Sequence, residues 1–184
     1  MNKQPRVFIA LDYPTVAMAE SFITRVHPSQ CGLKVGKELF LRAGPHFVSD
    51  LIGRGFDVFL DLKFHDIPNQ VAGAVKAAAD LGVRYLTVHA MGGSAMLSAA
   101  LEALASYRTP PMLLAVTVLT SFNDAALSEL GIDLSVLSFA KRLVTLATQV
   151  GISGFVCSAQ EVATLKRLAE GAFFATPGIR LSGA

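Results

Sequence analysis

Charged residues and cysteines are scarce in this 184-residue chain. Asp, Glu, Lys and Arg make up 16% of it and hydrophobic residues 52%, which excludes a disordered chain and predicts a packed globule. The 16 basic and 14 acidic residues contain no run of Lys or Arg, so the sequence gives no electrostatic case for a nucleic-acid or membrane partner. The two cysteines, Cys31 and Cys157, form neither a CxxC pair nor a zinc-type cluster, and we expect buried, reduced thiols.

Long apolar runs are also missing. The longest, such as Met112 to Leu119, are too short to span a bilayer, and the first six residues lack the apolar stretch of a signal peptide. These absences predict a cytoplasmic protein without a membrane partner. A compact anionic ligand needs only a few local cations, so a small anionic substrate remains open.

Short apolar runs alternate with helical patterns along the whole chain. The predicted strands cover residues 7–11, 32–35, 57–63, 84–89, 112–119, 154–157 and 173–176. The helical patterns between them cover residues 16–26, 38–52, 71–81, 96–104, 136–150 and 158–170. Strands joined by helices form parallel sheets. No linker or composition shift interrupts the pattern, so we expect one domain over residues 1–184, either a barrel short of one strand or an open doubly wound sheet.

Charged side chains stand at the C-terminal ends of the predicted strands. In the third strand Phe59, Asp61 and Lys63 share one face, because side chains alternate with period two. Asp12, Lys34 and His89 end other strands, and active sites of both candidate folds lie at that end. Each residue alone would read as a loop residue, a cap or a core histidine. Two Asp and two Lys directed at one end instead predict paired charges with coupled protonation.

The segment Asp61-Leu62-Lys63-Phe64-His65-Asp66-Ile67-Pro68-Asn69 resembles the signature of the orotidine 5′-monophosphate decarboxylase family. Further similar segments follow the family's order: Leu11-Asp12-Tyr13, Leu33-Lys34-Val35-Gly36, Thr87-Val88-His89-Ala90, Val116-Thr117-Val118-Leu119-Thr120-Ser121 and Thr176-Pro177-Gly178-Ile179-Arg180. The resemblance covers essentially the whole chain. It implies a TIM (β/α)8 barrel and decarboxylation of orotidine 5′-phosphate to uridine 5′-monophosphate (UMP), the last step of de novo pyrimidine biosynthesis, with no cofactor and no metal.

The resemblance also implies roles for individual residues. Lys63 corresponds to the donor that protonates C6 of the pyrimidine, and Asp61 to the carboxylate beside the departing carboxylate. Asp66, accompanied by Ile67, corresponds to the aspartate that reaches into the neighbouring subunit's site of a homodimer. The remaining expected substrate contacts are Lys34 with the ribose and Asp61, Asp12 with a ribose hydroxyl, Thr120 with the pyrimidine ring, and Arg180 near the phosphate.

The chain departs from the family pattern in two places. Gln70 stands where the family usually carries Thr after Pro-Asn, and we expect a retained but altered contact there. The sequence also ends at Ala184, before the family's mobile loop, a ligand-contacting Gln and the eighth strand with its phosphate-binding Gly-Arg. We therefore expect a barrel domain truncated before the last β/α unit.

Two alternatives remain at this point. A sugar-phosphate lyase of the same suprafamily, similar to keto-gulonate phosphate decarboxylase, shares the DxKxxD core but uses a divalent cation such as Mg²⁺. An inactive barrel fragment that binds nucleotide without turnover is the second alternative. The Phe64-His65 pair, the Ile67-Pro68-Asn69 run and the run His89-Ala90-Met91-Gly92-Gly93 fit the orotidylate family better than the lyases.

Overall fold

Seven strands alternate with helices in the computed structural model, which describes residues 7–179. The strands are β1 (Phe8–Ala10), β2 (Gly32–Gly36), β3 (Val58–Phe64), β4 (Tyr85–His89), β5 (Met112–Val116), β6 (Gly154–Val156) and β7 (Phe173–Ala175). The helices are α1 (Val16–Ile23), α2 (Lys37–Gly53), α3 (Pro68–Asp80), α4 (Gly93–Glu102), α5 (Asp124–Glu129), α6 (Val136–Val150) and α7 (Val162–Lys166), and a 3₁₀ turn, Ala90–Gly92, precedes α4. The predicted alternation of strands and helices is confirmed.

The strands follow one another in the sheet in chain order, from β1 to β7. The pairs β1–β2, β2–β3, β5–β6 and β6–β7 are parallel. In this register Lys34 lies opposite Ala10 on one side and Phe59 on the other, and Gly36 lies opposite Asp61. The β/α prediction is therefore correct, and it places the charged ends of β1, β2 and β3 at neighbouring positions.

The described chain divides into two compact units. The first comprises residues 7–62, Gly73–Thr87 and Ala103–Met112, and it contains an aromatic cluster. The ring of Phe8 lies 5.7 Å from that of Phe59 and 5.2 Å from that of Tyr85, with the rings nearly perpendicular. Phe59 and Tyr85 stand two residues before Asp61 and Thr87 on their strands, so the cluster forms an apolar layer on the predicted inward face.

The second unit comprises Lys63–Ala72, Val88–Glu102 and residues 113–179. Its strands β6 and β7 are held by the stacked rings of Phe155 and Phe174, whose centroids are 5.3 Å apart. The helix α6 packs one apolar face and buries Phe139, Ala140, Leu143, Val144 and Ala147. It begins at the predicted position and ends at Gly151, whose φ of 106° is left-handed, as a helix C-terminal glycine requires.

Three elements differ from their predicted form. The α2 pattern is interrupted at Gly44, whose φ of 71° is left-handed, and a second helical stretch restarts at Pro45, where proline suits a first turn. The fifth strand ends at Val116, because the rest of its apolar run enters a turn closed by the bond from Phe122 N to Leu119 O. The last helical pattern, predicted over residues 158–170, forms only the short helix α7, which begins at Val162 and ends at Lys166.

No helix between residues 7 and 179 combines the length and apolar character that a membrane crossing needs.

Both cysteines are free and buried, as predicted. Burial and the nearby Glu161 carboxylate raise the pKa of the Cys157 thiol to about 12. The thiol of Cys157 is therefore neutral at physiological pH.

Gly32 provides the first test of this packing. A Cβ at position 32 would lie 2.6 Å from Cδ1 of Phe8 and 2.9 Å from the carbonyl oxygen of Asp57. Gly32→Ala should therefore lower the free energy of unfolding by about 1–3 kcal/mol in urea denaturation, because neither the ring nor the backbone can move without strain. Gly53→Ala is the matched control, since a Cβ there meets nothing within 4 Å and lies in a helix. A Gly32→Ala protein as stable as the parent would contradict this packing.

Candidate active site

The first unit brings three of the predicted site residues together at the strand ends. Lys34 Nζ lies 3.6 Å from Oδ1 of Asp12 and 3.5 Å from Oδ2 of Asp61. Both distances exceed the roughly 2.7–2.9 Å typical of a charge-assisted hydrogen bond, so these are ion pairs rather than tight bonds. The ammonium thus lies between two carboxylates and retains directions in which it can donate to a ligand.

Asp61 is the least exposed member of the group. Its side chain is 13% exposed, compared with 20% for Lys34 and 69% for Asp12. A carboxylate removed from water requires partners for both oxygens. Lys34 faces Oδ2, and the hydroxyl of Thr87 donates to Oδ1 over 3.1 Å. The Lys34–Asp61 pair is therefore the fixed part of the site, whereas the exposed Asp12 pair contributes little to stability.

Thr87 is a site residue to which the sequence patterns assigned no role. It is fully buried on β4, so its hydroxyl needs an internal partner. Its position two residues before His89 was the available signal, because period-two alternation puts both side chains on the face that carries Asp61.

Gly36 leaves space beside the charged pair. A Cβ at this position would lie 3.7 Å from Oδ1 of Asp12 and 3.8 Å from Nζ of Lys34. Any larger side chain would lie over the ammonium and the exposed carboxylate. The glycine therefore keeps that side of the Lys34 group open to a ligand.

Lys63 has the most unusual backbone in the described chain. Its φ is 53°, and no other non-glycine residue between positions 7 and 179 has a positive φ. A left-handed conformation costs a residue with a Cβ roughly 1–2 kcal/mol and is concentrated at functional sites. The prediction that Lys63 shares a face with Asp61 assumed extended backbone, so strict alternation ends at this residue.

The segment after Lys63 enters α3 through a local turn. Oδ1 of Asp66 accepts a 2.6 Å bond from the backbone N–H of Ile67, and Ile67 O accepts from the N–H groups of Gln70 and Val71. Asp66, Ile67 and Gln70 are all exposed, and Ile67 retains 64% of its accessible surface. An acid followed by an exposed apolar side chain is a combination that a second molecule could cover.

Two histidines meet beside this segment within the second unit. The rings of His65 and His89 lie 5.3 Å apart with an interplanar angle of 33°. His65 is exposed in the connection between β3 and α3, and His89 is half-buried at the end of β4. The sequence analysis noted His89 as a strand-end residue, but it gave no role to His65.

Thr120 and Arg180 are the remaining predicted contacts. Thr120 is exposed in the turn that follows β5. Arg180 lies outside the described residues. Among residues 7–179, no three His, Cys, Asp or Glu side chains are gathered as metal ligands. The first unit thus carries the group Asp12, Lys34, Asp61 and Thr87, and the second unit carries Lys63 and residues 65–70.

Comparison with known proteins connects these residues to a family. The family model described as Orotidine 5′-phosphate decarboxylase / HUMPS matches residues 5–184. A curated orotidine 5′-phosphate decarboxylase of Laribacter hongkongensis is 53% identical over 177 residues, which cover 96% of this chain and 73% of that protein. The corresponding protein of Psychromonas ingrahamii is 54% identical over 181 residues, or 97% of this chain and 77% of that protein.

A solved structure agrees. The crystal structure of orotidine 5′-phosphate decarboxylase from Lactobacillus acidophilus superposes with a TM-score of 0.88 and 37% identity, covering 97% of this chain and 82% of that one. The chain therefore has the TIM barrel architecture of these proteins, with seven strands in residues 7–179, and it spans about three quarters of the length of the curated relatives. The predicted fold class is confirmed.

The left-handed backbone at Lys63 can be tested by stability alone. Lys63→Gly and Lys63→Ala both remove the charge and the alkyl chain, but only alanine keeps a Cβ at φ 53°. We expect Lys63→Gly to be more stable than Lys63→Ala by about 1 kcal/mol in urea denaturation. Ala163, an exposed residue of α7, is the control for the general effect of glycine. At this helical position Ala163→Gly should lower the free energy of unfolding by about 0.5–1 kcal/mol. Equal stability of the two Lys63 variants would refute the strain.

Proposed function

The chain belongs to the Orotidine 5′-phosphate decarboxylase / HUMPS family, and from that premise we propose how its residues convert orotidine 5′-phosphate into UMP and carbon dioxide. Decarboxylation of this nucleotide in pyrimidine biosynthesis is the activity that the family match and the named relatives support. The observation that carries the proposal is the half-buried Lys34–Asp61 pair, with a strained lysine two residues further along β3.

The reaction sets a demanding electrostatic problem. When the carboxylate at C6 leaves as carbon dioxide, its electron pair stays on C6, and no adjacent carbonyl can absorb it. A catalyst must stabilise charge at C6 more strongly in the transition state than in the substrate. A preorganised ammonium can do this without a cofactor, because its charge is in place before the bond breaks.

Lys63 supplies that ammonium in our proposal. Its Nζ–H stabilises the carbanionic centre and then donates a proton to C6, which forms UMP and leaves a neutral amine that solvent reprotonates. The left-handed φ supports this role, because strain of this kind persists only where surrounding structure holds it. The direction in which the Lys63 side chain leaves the backbone is therefore set before the substrate binds.

The charged group in the first unit binds the sugar and faces the departing carboxylate. We assign Asp61 a position beside the substrate carboxylate, where its charge disfavours the bound ground state relative to the transition state. Lys34, between Asp61 and Asp12, holds Asp61 in place and donates to the ribose. Asp12, with 69% of its side chain exposed, accepts from a ribose hydroxyl.

Three further residues complete the proposed substrate contacts. Thr120 contacts the pyrimidine ring from the turn after β5, and Gln70 uses its amide where relatives of the family usually carry Thr. Arg180 acts near the phosphate. Binding of the phosphate contributes remote binding energy that favours the closed, reactive complex.

We propose that two copies of the chain share each site. Asp66 and Ile67 would reach into the partner's site, which would cover the exposed apolar side chain of Ile67. An exposed apolar side chain next to a carboxylate suits an isologous contact, in which the same patch serves both subunits.

A single family model across residues 5–184 supports one barrel domain, and the biosynthetic activity supports a cytoplasmic location.

The metal-dependent lyase is the weaker alternative. The curated relatives at about half identity are named as orotidine 5′-phosphate decarboxylases, not as sugar-phosphate lyases. A lyase of that kind needs a divalent cation to stabilise an enediolate, whereas the proposed reaction needs none. Chelation therefore separates the two functions in one assay.

Release of UMP from orotidine 5′-phosphate in excess EDTA tests the proposal. We expect the chain to remain active with the chelator, and Lys63→Ala to lose at least ~10⁴-fold in kcat, because both electrostatic stabilisation and proton donation are removed. Lys76→Ala, on the exposed side of α3, should keep the parental rate and controls for loss of a surface lysine. Loss of activity in EDTA, or a Lys63→Ala protein within tenfold of the parent, would overturn the proposal.

Mixing of inactive variants tests the shared site. Asp66→Ala and Lys63→Ala chains should each be poor enzymes, but in a mixed dimer one site has both residues. At equal mixing half of the dimers are mixed and half of their sites are intact, so we expect about a quarter of parental activity. A mixture of Asp66→Ala with a Lys63→Ala/Asp66→Ala double variant should recover nothing. No recovery in the first mixture, despite subunit exchange observed by mass spectrometry, would exclude a shared site.

A further inference from the structure

We propose that His65 and His89 form a positioning pair that holds Lys63 in its left-handed conformation and thereby sets the reach of its ammonium. The inference goes beyond the roles assigned above, since neither histidine touches the reacting atoms in them. The expected effect of the pair on kcat rests on the proposed function of Lys63, whereas its expected effect on the Lys63 backbone does not.

The backbone of Lys63 requires an external constraint. With a φ of 53° the residue is in a conformation that side chains with a Cβ rarely adopt, so an unrestrained chain would relax to an extended or helical geometry. A constraint on the residues that follow Lys63 acts on this backbone, because they decide in which direction the chain leaves β3. His65 is the second of these residues.

The chain that follows Lys63 is already anchored at the start of α3. The Asp66 carboxylate accepts from Ile67 N over 2.6 Å, and Ile67 O accepts the first bonds of α3, from Gln70 N and Val71 N. The chain from Asp66 onward is thus fixed in direction by the start of the helix. Between this anchor and Lys63 stand only Phe64 and His65.

The His65 ring supplies the second anchor. Its centroid lies 5.3 Å from that of His89, and the two planes are tilted by 33°, within the range of favourable aromatic pairs. His89 is half-buried as the last residue of β4, and it leads directly into the 3₁₀ turn Ala90–Gly92 and α4. An exposed connecting residue is therefore tied to the fixed end of a strand.

Only Phe64 stands between Lys63 and the first anchored residue, His65, and this leaves the backbone little choice. The helix start sets where Asp66 lies, and the ring contact sets where His65 lies, so the change of direction out of β3 falls on Lys63, the penultimate residue of the strand. On this account the ring contact supports the strained backbone at Lys63. Removal of either ring should let the backbone relax.

Thermal unfolding of four variants tests the backbone part without any activity. In the parental background Lys63→Gly should melt about 2–4 °C above Lys63→Ala, because glycine carries no penalty at positive φ. In a His65→Ala background the same comparison should shrink to below ~1 °C, since the backbone no longer needs to be left-handed. An undiminished advantage of glycine in that background would overturn the proposal.

Kinetics test the consequence for Lys63. His65→Ala should lower kcat on orotidine 5′-phosphate by about 10–100-fold and change KM less than ~3-fold, because a displaced catalytic group affects the transition state and not ground-state binding. His65→Phe keeps the ring and should recover most of the loss. His46→Ala, an exposed histidine of α2, is the control for loss of an imidazole and should behave as the parent. A His65→Phe protein as slow as His65→Ala would exclude ring contact as the mechanism.

The thermal comparison and the kinetics distinguish failure of the positioning pair from failure of the proposed function. If the thermal comparison shows the coupling but the parent makes no UMP, the positioning pair holds and the proposed function is wrong. If the parent is active and needs Lys63, but neither the thermal comparison nor kcat responds to His65→Ala, the positioning pair alone is wrong.

Discussion

The pairing of Asp61 with Lys34 is the constraint from which the rest of the site follows. A carboxylate that is only 13% exposed cannot remain charged without partners, and the ammonium 3.5 Å away with the Thr87 hydroxyl at 3.1 Å supply them. Those partners come from β2 and β4, the neighbours of β3 in the sheet. The parallel register is therefore a condition for the charge, because a slip of one residue would turn the partner side chains to the other face.

The apolar layer beneath the charges makes that register specific. Phe59 and Tyr85 precede Asp61 and Thr87 by two residues, and the Phe8 ring contacts both. Gly32 precedes Lys34 by the same interval, and the ring of Phe8 occupies the space that a side chain there would need. Because Gly32 has no side chain, the Phe8 ring can pack against Phe59 of β3 and Tyr85 of β4. The polar layer is positioned by dense packing, which resists small displacements.

Much of this arrangement was predictable, because it depends on periodicity. Alternation along β3 predicted the face that Phe59 and Asp61 share, and the helical pattern of residues 136–150 predicted α6. What was missed depends on tertiary contacts. Nothing local in the sequence shows that Lys63 is left-handed, since lysine has no preference for that region. The Thr87 bond likewise depends on a partner 26 residues away.

The two lysines of the predicted site have different environments, and this difference decides which role we propose for each of them. Lys34 belongs to a regular strand and has a carboxylate on each side, at 3.6 and 3.5 Å. If it gave up its proton, Asp61 would be left as a largely buried charge without its cation, which is strongly unfavourable. Lys34 is therefore suited to hold Asp61 in place in the proposed reaction. The same proposal gives proton delivery to Lys63, whose left-handed backbone persists only where the surrounding structure holds it.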